Sequence, residues 1–162
     1  SSAKYQGRLL ALLSRPRHSL LQAMTCGAGH RGEVSFEERA SEAQRILAKY
    51  PDRIPVICER APRSDLPQIE KRKFLLPSSM LCGEFKYIVH KHIAQAGAAG
   101  QECIAADQTI YLFVEGHSPK TSAPMLDIYE QYKSYDGFLY IAYSAENTLG
   151  FAVEHGASGR EA

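Results

Sequence analysis

The sequence predicts an α+β fold in which a single sheet carries a helix across one face. Three observations lead there. A capped amphipathic helix opens the patterned part of the chain, four short apolar or aromatic runs read as strands, and two later segments return to helical spacing. The order is helix, strand, strand, helix, strand, helix, strand. It lies within 162 residues of which 44% are hydrophobic, enough for one compact core.

Ser35-Phe36-Glu37-Glu38 is a capping box: the Ser35 hydroxyl can accept from the third helical amide while Glu38 reaches back. Phe36, Ala40, Ala43 and Leu47 follow at helical spacing, and Tyr50-Pro51 ends the helix, because proline disfavours helical geometry in the residue before it. Ile54–Cys58 reads as a buried strand, followed by a turn around Ala61-Pro62-Arg63. Lys73–Pro77 is a second short strand, and its proline, which cannot donate a ladder bond, favours a sheet edge. Residues 80–93 place Leu81, Phe85, Ile88 and His92 on one helical face, with Ser78 or Ser79 available as cap. Residues 94–106, rich in Ala, Gly and Gln, read as a surface loop. Ile110–Val114 is a strand closed by Glu115-Gly116, and Ser122 and Pro124 open a short helix carrying Met125, Ile128, Tyr129 and Tyr132. Phe138–Tyr143 is aromatic and β-rich. From Ser144 onward no segment has a pattern that packs.

Charge divides the chain unevenly. Residues 1–32 hold Lys4, Arg8, Arg15, Arg17 and Arg31 and no acid, leaving 14 of the 19 basic residues to balance all 18 acidic ones. Such a start fits an organelle transit peptide, a basic arm for acidic lipid heads, or a solvated extension. The acidic remainder lacks a basic stripe with interleaved aromatics, which argues against nucleic acid. No run approaches the roughly 18 apolar residues of a membrane span. Cys26, Cys58, Cys82 and Cys103 contain no C-x-x-C, so neither a zinc cage nor a dithiol pair is expected. Cys58 sits in a strand-like run typical of a buried thiol. No cofactor or metal is expected. A cysteine enzyme drawing on Cys58, Cys82 and the histidines is the weakest function class.

Several blocks carry a family resemblance. They are Tyr50-Pro51-Asp52-Arg53-Ile54-Pro55-Val56-Ile57, Lys71-Arg72-Lys73-Phe74-Leu75-Leu76-Pro77-Ser78, Ile110–Val114, Pro119-Lys120-Thr121-Ser122-Ala123 and Phe138–Ser144, with the run on to Gly150. In this order, over about residues 36–150, the chain resembles the autophagy-related ubiquitin-like modifiers. The resemblance implies a ubiquitin-like β-grasp fold with an additional N-terminal helix. It implies a cytoplasmic non-enzyme that is cleaved by a cysteine protease between Gly150 and Phe151. E1-like and E2-like enzymes would then join it to phosphatidylethanolamine, bringing it to autophagosome membranes. The implied organisation is a basic extension over 1–35, the ubiquitin-like domain over 36–144, a conjugation tail over 145–150 and a removed propeptide over 151–162. The glycine makes chemical sense: a carboxyl end that threads a protease groove and forms thioesters is least crowded without Cβ.

The resemblance also implies a groove for receptors carrying an aromatic-x-x-aliphatic motif, which add a strand at the sheet edge. Its aromatic pocket would be Glu42, Ile46, Pro55, Ile57, Lys73, Leu75 and Phe138, and its aliphatic pocket Phe74, Leu76, Pro77, Met80, Phe85 and Ile88. Arg53, Lys71, Arg72 and Lys73 would attract acids beside the motif. Read without the resemblance, most of these apolar residues are plain core. The chain departs from the family in about nine inserted residues at 95–103 and in Gly137, which stands where an aromatic is usual and is expected to loosen the aromatic pocket. His90 and His92 replace Arg, and Met80 is a softer pocket filler. A β-grasp adaptor in trafficking or cytoskeletal binding, never lipidated, stays open beside the modifier.

Overall fold

Four strands form the sheet, in the order β2-β1-β4-β3, in a computed structural model that describes residues 30–97, 104, 105 and 107–147. The elements are α1 (His30–Glu33), α2 (Phe36–Lys49), β1 (Arg53–Arg60), β2 (Lys73–Pro77), α3 (Cys82–Gln95), β3 (Tyr111–Phe113), α4 (Met125–Tyr132) and β4 (Leu139–Ser144). β1 pairs antiparallel with β2 and parallel with β4, which pairs antiparallel with β3. This mixed sheet with its crossing helix is the expected ubiquitin-like α+β arrangement. The helix α1 lies within the stretch read as an extension. No helix among the described residues is long and apolar enough to cross a membrane.

Alternation along the strands divides the interior in two. Ile54, Val56 and Cys58 of β1 and Phe74 and Leu76 of β2 enter the larger core, with Phe85, Val89 and Ile93 of α3 and Leu139, Ile141 and Tyr143 of β4. Ile57 and Phe138 turn to the opposite face and meet Ala43 of α2. Tyr143, fully buried, donates through its hydroxyl to the Pro67 carbonyl at 2.7 Å and accepts from the Ile69 amide at 3.0 Å, which pins the long β1–β2 connection to the core.

The capping box of α2 forms as expected: the Glu38 amide donates to Ser35 Oγ, and the Ser35 amide donates to Glu38 Oε2. Its buried face differs. Arg39 and Ala43 are the buried residues, whereas Phe36 is 47% exposed, because a buried carboxylate draws Arg39 inward. On α3 the buried face is Cys82, Phe85, Val89 and Ile93, with Leu81 and His92 at or outside its border. Neither Ser78 nor Ser79 caps α3. Leu81 is the N-cap, and Glu84 accepts from its amide at 2.8 Å. The helix also runs through Gln95, into residues read as loop, and most of the inserted stretch lies outside the described residues. β3 is shorter than Ile110–Val114 because Val114 already bonds with His117 across a turn in which Glu115 and Gly116 both have positive φ. β4 reaches Ser144, one residue farther than the pattern suggested, and Ala145 still packs on the larger core.

Candidate functional site

The candidate groove lies along β2. The Cys58 amide donates to the Arg72 carbonyl and the Ser78 amide to the Asp52 carbonyl, so Arg72, Phe74, Leu76 and Ser78 direct their main-chain groups toward β1. By the same alternation Lys73, Leu75 and Pro77 direct theirs to the open edge. Pro77 therefore costs the ladder no bond, which is why this strand tolerates it. Lys73 and Leu75 offer an added strand its hydrogen bonds. Pro55 is accommodated on the inner strand because β1 pairs with β4 only from Val56↔Leu139 onward.

Every residue of the expected aromatic pocket lies on the α2 face of the sheet or on α2 itself. Ile57 and Phe138 are fully buried and form a floor, with Ile46 and Tyr140 half-buried around it. The register sets Ile57 beside Lys73 and Pro55 beside Leu75. Glu42 and Lys73 join α2 to β2 by an ion pair of 2.8 Å. Gly137 has φ +89°, and a Cβ there would lie 3.0 Å from the Ala43 Cβ. The glycine thus allows α2 close to the loop before β4, and this side of the pocket is tightly packed instead of loosened.

Apart from Pro77, which alternation sets on the α2 side with Lys73 and Leu75, the expected aliphatic pocket lies on the opposite, α3 face. Phe74, Leu76 and Phe85 are deep core, the two rings meeting edge-on at 5.3 Å. Pro77, Met80 and Ile88 are half-buried, the last two at the border of that core, so any contact with a partner falls on these three. His92 meets the Phe74 ring edge at 5.4 Å, and Lys71 Nζ stands 5.1 Å from its centroid.

The four basic residues are not equivalent. Arg53 is exposed at the start of β1. Arg72 makes a two-pronged contact with Glu33 of α1 at 3.1 and 3.3 Å and lies 3.6 Å from Glu59, while Lys73 is held by Glu42. Sequence reading missed the acids that neutralise Arg72 and Lys73. It also missed the Arg39–Asp136 pair, whose signal was a charged residue one turn past the Ser35 cap, between apolar positions. Gly150 and Phe151 lie outside the described residues.

Comparison with known proteins decides the family. The model for "Autophagy protein Atg8 ubiquitin like" matches residues 38–150. The chain belongs to the Atg8 family. Autophagy-related protein 8 of Mycosarcoma maydis is 48% identical over 120 residues, covering 74% of this chain and 94% of that protein. The Schizosaccharomyces pombe protein of the same name is 47% identical over 118 residues, covering 73% and 90%. Among solved structures, Plasmodium falciparum Atg8 in complex with a P. falciparum Atg3 peptide is 52% identical, with a TM-score of 0.66 over 74% of this chain and 98% of that one. Trypanosoma brucei ATG8 is 33% identical, with a TM-score of 0.64 over 72% and 93%. This chain is therefore a ubiquitin-like protein of an autophagy family. As an Atg8-family chain it also holds its described cysteines as core groups: Cys58 and Cys82 are free and buried, and burial pushes both thiols up, which disfavours the reactive thiolate.

Proposed function

We propose that this Atg8-family protein is a modifier carried through its Gly150 carboxyl to phosphatidylethanolamine, and that it gathers receptors on forming autophagosome membranes through the β2 groove. One observation carries the tail: the family match stops at residue 150, with twelve residues beyond it. β4 ends at Ser144, so Gly150 is the sixth residue beyond the sheet. At about 3.3 Å per residue, six extended residues would reach roughly 20 Å, enough to enter another protein's active site. A cysteine protease acting before Phe151 and E1-like and E2-like enzymes would handle that tail. The Atg3 peptide bound to P. falciparum Atg8 supports an E2-like partner for this chain as well. The protein itself would act in the cytoplasm and catalyse nothing.

The groove reading rests on the outward main-chain groups of Lys73 and Leu75 and on two pockets on opposite faces of one edge strand. A partner's aromatic side chain would enter beside Ile57 and Phe138, and its aliphatic one beside Met80 and Ile88. Intact mass of the protein recovered from cells tests the tail: the expected species ends at Gly150 and carries a lipid, and Gly150→Ala abolishes both changes. Cleavage and membrane recovery surviving Gly150→Ala would overturn it. A chain that keeps residues 151–162 and still binds motif peptides would instead be the non-lipidated adaptor.

A further inference from the structure

One end of the groove is flanked by the chain itself, where Glu33 of α1 contacts Arg72. α1 lies against the approach to β2, and a depression of about 450 Å³ separates His30, Glu33 and Val34 from residues 70–73. His30 is 6% exposed, and its Nε2 has no hydrogen-bond partner among the described residues, while its main-chain amide donates to Glu59 at 2.6 Å. We propose that α1 is a proton-operated gate on the peptide groove: neutral His30 keeps it docked over the Arg72 end of the β2 edge, and protonation of His30 releases it and opens that end to acidic partner segments. This rests on the groove reading above.

The charges around the ring set the direction. Lys73 and Arg72 face it from β2 and its approach, Glu59 from β1 and Glu42 from α2. Both carboxylates are already engaged, Glu59 by the His30 amide and Arg72, and Glu42 by Lys73. An imidazolium would be desolvated beside two cations, with both of these carboxylates already taken; Glu70, which lines the same depression, is exposed to solvent. Burial, followed by Lys73, accordingly lowers the His30 pKa from its ordinary value. Because the docked value is the lower one, docking is fully favoured above the ordinary imidazole pKa of about 6.5 and weakens as pH falls below it.

Release must also break other contacts of α1, among them the bond that Arg31 Nη2 donates to Ser134 Oγ at 3.4 Å. Glu33 meets Arg72 at the surface, Arg31 stacks 3.9 Å over the Tyr140 ring, and Arg39 donates to the carbonyls of Arg31 and Val34. Release would take Glu33 away from Arg72 and leave that guanidinium to a partner's carboxylate.

The test uses the full chain and a synthetic aromatic-x-x-aliphatic peptide preceded by two aspartates, at constant salt. His30 ring titration and amide exchange over residues 30–34 are followed by NMR between about pH 7.5 and about pH 5.5. The expected result is a His30 pKa below the ordinary range, loss of amide protection at the acid end and a gain in peptide affinity of about threefold or more. His30→Phe should remove that step: if the phenyl ring docks, affinity stays at the high-pH level, and if it does not, at the low-pH level. Ordinary titration of His30 with α1 still protected, or a step that survives in His30→Phe, overturns the gate. A peptide that binds at neither pH sinks the groove reading, and amide protection against pH still decides the gate.

Discussion

Arg39 Nε donates to Asp136 Oδ2 at 2.9 Å, with the two side chains 9% and 1% exposed. This pair organises a junction. Arg39 also donates to the carbonyls of Arg31 and Val34, and Asp136 accepts from the Phe138 amide and the Tyr140 hydroxyl. Thus α1, α2 and the start of β4, the three pieces around the aromatic pocket, share one buried contact. Removing one partner leaves the other charged and dry. Asp136→Ala is expected to cost about 3 kcal/mol or more in urea unfolding, and Arg39→Met with Asp136→Leu together clearly less than Asp136→Ala alone.

Gly137→Ala should destabilise by about 1–3 kcal/mol, because φ is +89° and the new methyl would press on Ala43. Pairing it with Ala43→Gly removes the clash but not the backbone strain, so thermal unfolding should show partial rescue at most.

The Glu42–Lys73 pair is partly exposed, at 31% and 46%, so Glu42→Gln should alter stability by less than about 1 kcal/mol. Its effect belongs to recognition. With Lys73 released, an acidic motif peptide should bind faster, and the gain should fade at high salt in stopped-flow measurements.

Native protein should resist thiol alkylation at Cys58 and Cys82, and urea should expose both; rapid labelling of Cys58 in the folded chain would contradict its burial. A stability effect follows with a definite sign. The folded Cys58 pKa lies above its unfolded value, so its contribution is complete below the unfolded thiol pKa of about 8.5 and is lost as pH rises beyond it. The unfolding free energy from urea titration should fall through that range, by up to about 1.4 kcal/mol per pH unit for this group, and Cys58→Val should flatten the curve.

The sequence by itself determined every described element except α1, their order and the edge position of β2, because the capping box of α2, prolines and apolar periods are local signals. Ser35 with Glu38, Pro51 and Pro77 each act within one turn or one strand. The family resemblance added the groove residues by position. Only the tertiary structure decided which side of the sheet each one joins. It placed Ile57 and Phe138 on the α2 face and Phe74 and Phe85 in the opposite core, since strand pairing and register decide what alternation brings together. It also decided which charges are spoken for. Arg39 meets an acid 97 positions away and Arg72 one 39 positions away, separations at which no local pattern carries information.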